Sequence, residues 1–225
     1  MNDTLWYGVN AHYVTESYQN ETWMDISGNN NHATVTGTFG NKTIDPISSL
    51  EYIVGTPLTR ITFPIDMLGL SPATYTFIHV CKHEPGAQNR IFDGSNINWL
   101  SGFHIDETGV AHHIDTWITS RGDRFGLEIV VSTDLLNTYR GNGIDYTIAT
   151  TSLTTVPYFK INNDRGGFYQ QSDFGCFEII AFHFELSLSQ IIEVETYLLN
   201  KYIFQPTSPP TEQPKSNSIL KFWMF

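Results

Sequence analysis

Short apolar runs separated by polar turns dominate the chain, and this pattern predicts a protein built mainly of β-strands. Residues 75–81 and 176–184 carry apolar side chains at both odd and even positions, which is typical of central strands covered on both faces. Apolar and polar residues alternate over 125–131, so a half-buried strand is expected there. Turn signals at 106–109 and 141–143 separate such runs. This spacing predicts a β-sandwich or jelly roll.

One segment near the C-terminus has helical periodicity instead. Ser187, followed three residues later by Gln190, forms a capping-box pattern. Lys201 would lie in the last turn, where a cation interacts favourably with the helix dipole. An amphipathic helix is therefore predicted from Ser187 to about Ile203. Its expected apolar face consists of Leu188, Ile191, Ile192, Leu198, Leu199 and Tyr202.

Composition narrows the class of protein. The chain has 225 residues, 40% of them hydrophobic, which suffices for one large β domain with a sizeable core. Its net charge of −11 disfavours nucleic acid and anionic membrane surfaces as partners. No apolar run approaches the roughly 20 residues that span a bilayer. Because residues 1–4 lack basic and apolar signal regions, we expect no cleaved signal peptide and synthesis in a cytoplasm.

The two cysteines, Cys81 and Cys176, leave two interpretations open. They are either two buried free thiols or one disulfide, depending on the redox compartment in which the chain folds.

The composition changes after the predicted helix. Four prolines within residues 205–214 favour an extended connector, so the chain is divided into a domain at 1–204 and a tail at 205–225. The tail ends in apolar residues that are costly to leave in water. We expect it to dock on its own domain, to insert into a neighbouring protein or to contact a membrane interface. The predicted contact residues are Ile219, Leu220, Phe222, Trp223, Met224 and Phe225.

Four motifs follow one another along the chain. Residues 23–33 have the pattern W-x-D-x-S-G-N-x-N-H-A, and residues 76–80 form an aromatic-rich strand. Residues 90–103 contain R-I-F-D-G and N-W-L-S-G-F, and residues 177–202 combine F-E-I-I-A with a helix that ends in Y-L-L-N-K-Y. In this order they resemble concanavalin A-like, laminin-G-like jelly-roll domains, including those of large algal DNA viruses and marine microbes. The resemblance covers about residues 5–204, with departures at Gln190 and at 182–184.

The resemblance implies an all-β, concanavalin A-like jelly-roll sandwich with one C-terminal amphipathic helix and an extended tail. It also implies a non-enzymatic binding or structural module: a capsid-associated or surface protein of a large DNA virus, made in the host cytoplasm and located in the virion. The tail would then bind other capsid or surface proteins. The alternative is a soluble, extracellular lectin-like protein that recognises cell-surface glycan, and a glycan-cleaving enzyme is a third hypothesis.

Catalysis is not expected from the distribution of acidic residues. Glycoside hydrolysis requires two carboxylates that flank the scissile bond, roughly 5–10 Å apart. Glu178 and Glu185 are seven positions apart and would point to opposite faces of a regular strand. The adjacent His112 and His113 would also point in opposite directions, which disfavours a shared metal ion. We therefore predict no catalytic residue and no bound metal.

Glycan binding would need an aromatic ring beside planar polar side chains. No cofactor is expected, and the alternative is Ca²⁺ held by loop oxygens at Asp93 and Asp106. Trp99 has a second interpretation as a scaffold residue of the core. The candidate ligand contacts are Asn96, Asn98, Trp99, His113, Trp117 and Tyr169.

Overall fold

The computed structural model describes residues 8–69, 74–152, 155–163 and 170–204, so the predicted tail at 205–225 lies outside the described residues. Two antiparallel sheets, one α-helix and a short 3₁₀ helix at Thr15–Ser17 make up this part of the chain. The elements are β1 (Ala11–Val14), β2 (Thr22–Trp23), β3 (Ala33–Gly37), β4 (Asn41–Ile44), β5 (Glu51–Gly55), β6 (Thr59–Thr62), β7 (Thr76–His83), β8 (Phe92–Gly94), β9 (Trp99–His104), β10 (Glu107–His113), β11 (Thr116–Trp117), β12 (Val130–Leu135), β13 (Thr138–Gly141), β14 (Ile144–Asp145), β15 (Phe159–Ile161), β16 (Phe174–Phe182) and α1 (Leu188–Tyr202).

The two sheets form a sandwich of the jelly-roll type. The first sheet has the strand order β14-β13-β12-β7-β16-β5-β4, and β1 pairs with β16 beside it. The second sheet has the order β11-β10-β9-β8-β15-β6-β3-β2. Both strands predicted to be central, β7 and β16, lie side by side in the middle of the first sheet. The predicted all-β fold with one C-terminal helix is thus confirmed.

The main core lies between the sheets. Alternate residues of the second sheet, such as Trp23, Phe92 and Trp99, point inward against Phe77 and Ile179 of the first sheet. Aromatic rings fill this space, and Phe77 alone lies within 6 Å of the rings of Phe92, Trp99 and Phe159. Burial of these large side chains is the dominant stabilising contribution to the fold.

Helix α1 covers the outer face of the first sheet. The predicted capping box is present, because Ser187 Oγ accepts a hydrogen bond from the Gln190 backbone and Gln190 Oε1 accepts one from the Ser187 backbone. The predicted apolar face is wrong at Leu188 and Ile192, which are 59% and 48% exposed. The residues that pack against the sheet are Ile191, Val194, Glu195, Leu198 and Tyr202. Within the described part of the chain, no helix has the length and apolar character needed to cross a lipid bilayer.

Two buried charge clusters tie the helix to the sheet. Arg140 of β13 forms a bidentate ion pair with Glu195, at 2.9 Å from Nε to Oε1, which explains why a glutamate occupies the buried face of the helix. Glu178 of β16 accepts hydrogen bonds from Lys201 at 2.7 Å and Tyr202 at 2.6 Å. Glu185, which was expected on the opposite face of the same strand, instead lies exposed in the loop after β16. The Glu178 carboxylate therefore serves the helix–sheet contact.

The strand predicted at 125–131 is wrong for residues 125–129, which form turns. Asp123 Oδ1 accepts the backbone N–H of Gly126, and Thr108 Oγ1 accepts that of Phe125 at 2.7 Å. These side chains satisfy backbone groups that a strand would pair with a neighbour. Gly126 also has a φ of 56°, which interrupts extended backbone. The extended segment, β12, begins only at Val130.

Candidate ligand-binding site

The outer face of the second sheet is the face that α1 does not cover. The core residues of this sheet alternate with residues that point outward. The strand register places eight of the outward-pointing residues in one row, one from each of the eight strands. With strands spaced about 4.8 Å apart, the seven gaps of this row span roughly 34 Å. The row consists of Thr22, Thr34, Thr62, Lys160, Asp93, Leu100, His112 and Trp117.

The β9–β10 hairpin positions the polar end of this row. Its turn is formed by Ile105 and Asp106, with φ values of 39° and 56°, rather than by the predicted segment 106–109. This two-residue turn places His104 opposite Glu107. A β-bulge follows at Gly109, between the paired residues Thr108 and Val110, and shifts the register of β10. As a result His112, and not His113, shares the outer face with His104.

Trp117 on the edge strand β11 is the centre of this end of the face. Its ring is partly exposed and lies 5.2 Å from the His104 ring and 4.9 Å from the His112 ring, with T-shaped contacts to both. The Arg121 guanidinium lies 5.0 Å from the indole centroid and donates to Glu107 at 2.9 Å. We call Trp117, His104, His112, Glu107 and Arg121 the Trp117 cluster.

Arg90 extends the cluster towards the middle of the sheet. Its Nη1 donates to Asp93 Oδ1 and to Asn98 Oδ1, both at 3.0 Å. Asn98 in turn donates from Nδ2 to the carbonyl of Ile114 at 3.3 Å. Each arginine of the region therefore has one carboxylate partner, Asp93 for Arg90 and Glu107 for Arg121. The two arginines and these two carboxylates balance in charge, and Asp115 adds a negative charge near His112.

Three nitrogen atoms of this region are buried and have no hydrogen-bond partner among the described residues: Arg90 Nε, His104 Nδ1 and His112 Nδ1. The nearest acid oxygen to His104 Nδ1, Oε2 of Glu107, is 3.6 Å away and too far for a hydrogen bond. Buried polar atoms without partners are rare in folded proteins. The described residues have four further atoms of this kind, at His79, His83, Glu84 and Thr133, so this region is distinguished by the proximity of such atoms to a partly exposed indole ring.

Both imidazoles of the cluster are neutral at pH 7. Burial, together with the Arg90 and Arg121 charges, lowers the pKa of His104 to about 4. Burial, together with Arg90 and His113, lowers the pKa of His112 below its ordinary value of 6.5. A neutral imidazole has one donor and one acceptor nitrogen, and a hydroxyl group can pair with either.

Two of the predicted ligand contacts lie in the core instead. Trp99 and His113 are fully buried, and their rings stack 5.9 Å apart between the sheets. Trp99 Nε1 donates to Tyr75 Oη at 3.0 Å, and His113 Nε2 lies 3.1 Å from Oδ1 of Asp134. Strand alternation explains the placement, because both residues are direct neighbours of outward-pointing positions. The scaffold interpretation of Trp99 therefore agrees with its position.

The other predicted residues have varied positions. Asn96 Nδ2 donates to the carbonyl of Val156, and Asn96 Oδ1 accepts the backbone N–H of Tyr158, so this side chain holds a loop. Asp93 pairs with Arg90, while Asp106 occupies the exposed hairpin turn; Ca²⁺ binding at either residue stays a prediction. Among the described residues, no three His, Cys, Asp or Glu side chains converge as a metal-ligand set. Tyr169 lies outside the described residues.

Two depressions adjoin the second sheet. One, of about 410 Å³, lies beside β11 and is lined by Ile114, Asp115, Thr116 and residues 150–152. The other, of about 530 Å³, lies at the opposite end of the face, where Thr22, Thr34, Thr36 and the exposed Phe39 line a groove with Glu21. Their volumes fall within the range of small-ligand sites.

Four residues of this region were not predicted as site residues from the sequence: His104, Glu107, Arg121 and Arg90. The usable signal was the spacing of His104 and Glu107 around a two-residue turn, which places their side chains opposite each other in a hairpin. The bulge at Gly109, which decides the orientation of His112, has no comparable signature.

No protein-family model matches the sequence, and no curated protein matches it. Solved structures do share the fold. Domain 4 of AbnA, a GH43 extracellular arabinanase from Geobacillus stearothermophilus in complex with arabinotriose, matches with a TM-score of 0.62 at 15% identity over 84% of this chain and 98% of that domain. The binding domain of botulinum neurotoxin serotype D/C matches with a TM-score of 0.57 at 15% identity over 86% of this chain and 53% of that one. Trypanosoma rangeli sialidase gives a TM-score of 0.56 at 13% identity over 84% of this chain and 32% of the sialidase chain. At these identities the likeness shows a shared β-sandwich fold.

Proposed function

We propose that this chain is a non-catalytic carbohydrate-binding module, which binds a glycan on the outer face of its second sheet at the Trp117 cluster. One observation carries the proposal. Nδ1 of His104 and Nδ1 of His112 are buried without partners, in two imidazole rings that contact one partly exposed indole ring. A sugar ring stacks on an aromatic surface through its C–H groups, and its hydroxyls would pair with these nitrogens.

The charge balance of the cluster favours an uncharged glycan. Arg90 and Arg121 each have a carboxylate partner, and both imidazoles are neutral at pH 7. An acidic sugar would need an arginine released from its partner, whereas hydroxyl groups need only hydrogen bonds. Support also comes from the fold, because one structurally similar domain is recorded in complex with arabinotriose.

The non-catalytic part of the proposal rests on the same ion pairs. The carboxylates of the site, Glu107 and Asp93, are each hydrogen-bonded to an arginine. A glycosidase requires one carboxyl group that donates a proton and a second that acts as base or nucleophile. In this site both carboxylates accept hydrogen bonds from a guanidinium, which leaves no free carboxyl group placed to donate a proton to the glycosidic oxygen. Reducing-sugar release from a polysaccharide that disappears in Glu107→Gln would contradict this part.

A binding experiment tests the main proposal. The wild type is screened on a glycan array, and hits are measured by calorimetry with the variants Trp117→Ala and His112→Ala. We expect each variant to lose affinity about tenfold or more, because a central aromatic or buried polar contact typically contributes at least that much. Phe204→Ala is the matched control, since Phe204 is 63% exposed and lies beyond the C-terminus of α1.

Two outcomes would refute the proposal. One is an array without binding above background, and the other is binding that Trp117→Ala leaves unchanged. Salt provides a further test of the uncharged glycan. Affinity should vary by less than about twofold between roughly 0.05 and 0.5 M salt, whereas binding of an acidic sugar would weaken markedly.

The predicted association with a viral capsid stays a prediction of the sequence resemblance. Its contact residues, Ile219, Leu220 and 222–225, lie outside the described residues. Deletion of residues 214–225 should abolish incorporation into an assembly and leave glycan binding at the Trp117 cluster unchanged.

A further inference from the structure

The two cysteines of the chain lie opposite each other in the centre of the first sheet. Cys81 belongs to β7 and Cys176 to β16, and the strand register pairs them directly. Both side chains point into the core between the sheets and are fully buried. On the flanking strands their paired residues are the apolar Val130 and Ile53.

The two sulfur atoms are closer than packing alone requires. Both cysteines are free thiols, and Cys81 Sγ lies within hydrogen-bonding distance of Cys176 Sγ, at 2.8 Å. Carbon atoms pack best at roughly 3.5–4.0 Å, and sulfur is the larger atom. Directly opposed residues of an antiparallel pair have Cα atoms about 4.5–5.5 Å apart, which is inside the range that a disulfide bridges. An S–S bond can therefore form here without displacement of either strand.

We propose that Cys81 and Cys176 are a disulfide-forming pair, which is oxidised to a cross-strand disulfide when the chain folds in the presence of a disulfide oxidant such as oxidised glutathione. One thiolate attacks the glutathione disulfide, forms a mixed disulfide and releases one glutathione thiolate. The second cysteine then displaces the other glutathione. Overall the two cysteines lose two protons and two electrons, and one glutathione disulfide becomes two glutathione thiols.

The position of the pair determines when the bond forms. The attacking species in thiol–disulfide exchange is the thiolate, and burial raises the pKa of the Cys81 thiol well above its ordinary value. Glutathione also has no access to a fully buried pair. Oxidation therefore takes place during folding, before β7 and β16 are covered, and the finished disulfide is protected from reductants.

The bond would affect stability and leave the ligand site unchanged. The two cysteines are 95 positions apart in sequence, so the bond closes a long loop and restricts the unfolded chain. For a domain of this size we expect the melting temperature to rise by roughly 10 °C. The Trp117 cluster is built on the other sheet and faces away from the core, so glycan affinity should not change.

The experiment compares the redox state of the full chain after folding under two conditions. The wild type is unfolded with reductant, then refolded with reduced and oxidised glutathione or with reduced glutathione alone. The same chain is also produced in the bacterial periplasm and cytosol, in case refolding yields are low. Samples are denatured with an alkylating agent and analysed by intact mass, and melting temperatures are measured. Cys81→Ala and Cys176→Ala are matched controls, each with one remaining thiol.

We expect the oxidised wild type to be monomeric, unalkylated and about 2 Da lighter than the mass calculated for the unmodified chain, whereas the reduced chain should carry two alkyl groups. The oxidised wild type should also be more stable than the reduced chain, and the controls should show no such stabilisation. Two alkylated cysteines after oxidative folding, glutathione adducts or intermolecular dimers in place of the internal bond would overturn the proposal. An internal disulfide that leaves the melting temperature unchanged would overturn the predicted stabilisation by this bond.

Discussion

His79 provides a quantitative test of how the core of this sandwich responds to acid. The imidazole is fully buried among the rings of Phe77, Phe92 and Phe103, with Nε2 3.1 Å from Ser101 Oγ. Burial lowers the pKa of His79 to about 3, compared with 6.5 for the exposed group. The folded chain therefore keeps this ring neutral at pH values at which the unfolded chain protonates it.

The direction of the effect follows from proton binding. Between pH 6.5 and about 3 the unfolded state binds one more proton at His79 than the folded state, so stability falls as the pH decreases through this range. From pH 7 to pH 5 the difference amounts to about 2 kcal/mol. We choose about pH 5 as the lower limit because carboxylates begin to contribute near their ordinary pKa of about 4. His104, whose pKa is also lowered, adds to the loss in the wild type.

The assay is urea unfolding at several pH values between about 7 and 5, followed by tryptophan fluorescence, for the wild type and His79→Gln. The variant retains a hydrogen-bonding group for Ser101 but does not titrate. We expect it to lose about 2 kcal/mol less stability over this range, whatever its stability at pH 7. His183→Gln replaces an exposed imidazole and should run parallel to the wild type. A curve for His79→Gln that is also parallel would refute the reasoning.

Two further substitutions test the packing of the first sheet and its contact with the helix. Glu195→Gln should destabilise the chain by about 3 kcal/mol in urea unfolding, because it leaves the Arg140 guanidinium in a buried site without its carboxylate. Glu193→Gln, at an exposed position of the same helix, is the matched control. Equally small effects of both substitutions would contradict this prediction. Gly55→Ala should cost roughly 2 kcal/mol or more, since the added methyl would lie 2.3 Å from the ring of Phe174, and an unchanged melting temperature would show that this ring moves freely.

The fold was predictable from the sequence where the spacing of apolar residues reflects which faces of a strand are buried. Residues of β7 and β16 are apolar on both faces because α1 covers one face and the second sheet covers the other. The W-x-D-x-S-G-N motif was recognisable because the segment depends on the hydrogen bonds of one side chain. Asp25 accepts hydrogen bonds from the backbones of His12, Ser27 and Asn31, all at 2.9 Å. The alternation at 125–129 was misleading, since Thr108 and Asp123 provide alternative partners for that backbone.

The candidate site was predictable only in part, because it depends on register. Trp117 was recognised by its residue type, and its position on the outer face agrees with a surface role. Trp99 has the same chemistry but points to the other side of its strand. Orientation in a strand alternates with every residue, so one bulge decides which of two adjacent histidines faces the ligand. The bulge at Gly109 places His112 on the outer face, and no sequence pattern predicts this bulge.

The position of the helix suggests that the first sheet contributes mainly to stability and the outer face of the second sheet to ligand binding. Because α1 covers the outer face of the first sheet, the buried charges of that sheet, Arg140 and Glu178, have partners within the chain. The outer face of the second sheet has no cover from α1, and His104 and His112 have buried nitrogens without partners on that face; the first sheet also has such atoms, at His79, His83 and Thr133. Substitutions under the helix should therefore change the free energy of unfolding and leave ligand affinity intact, whereas substitutions in the Trp117 cluster should do the reverse. A cluster substitution that lowers stability as strongly as Glu195→Gln would indicate that the unpartnered nitrogens belong to the scaffold and not to a ligand site.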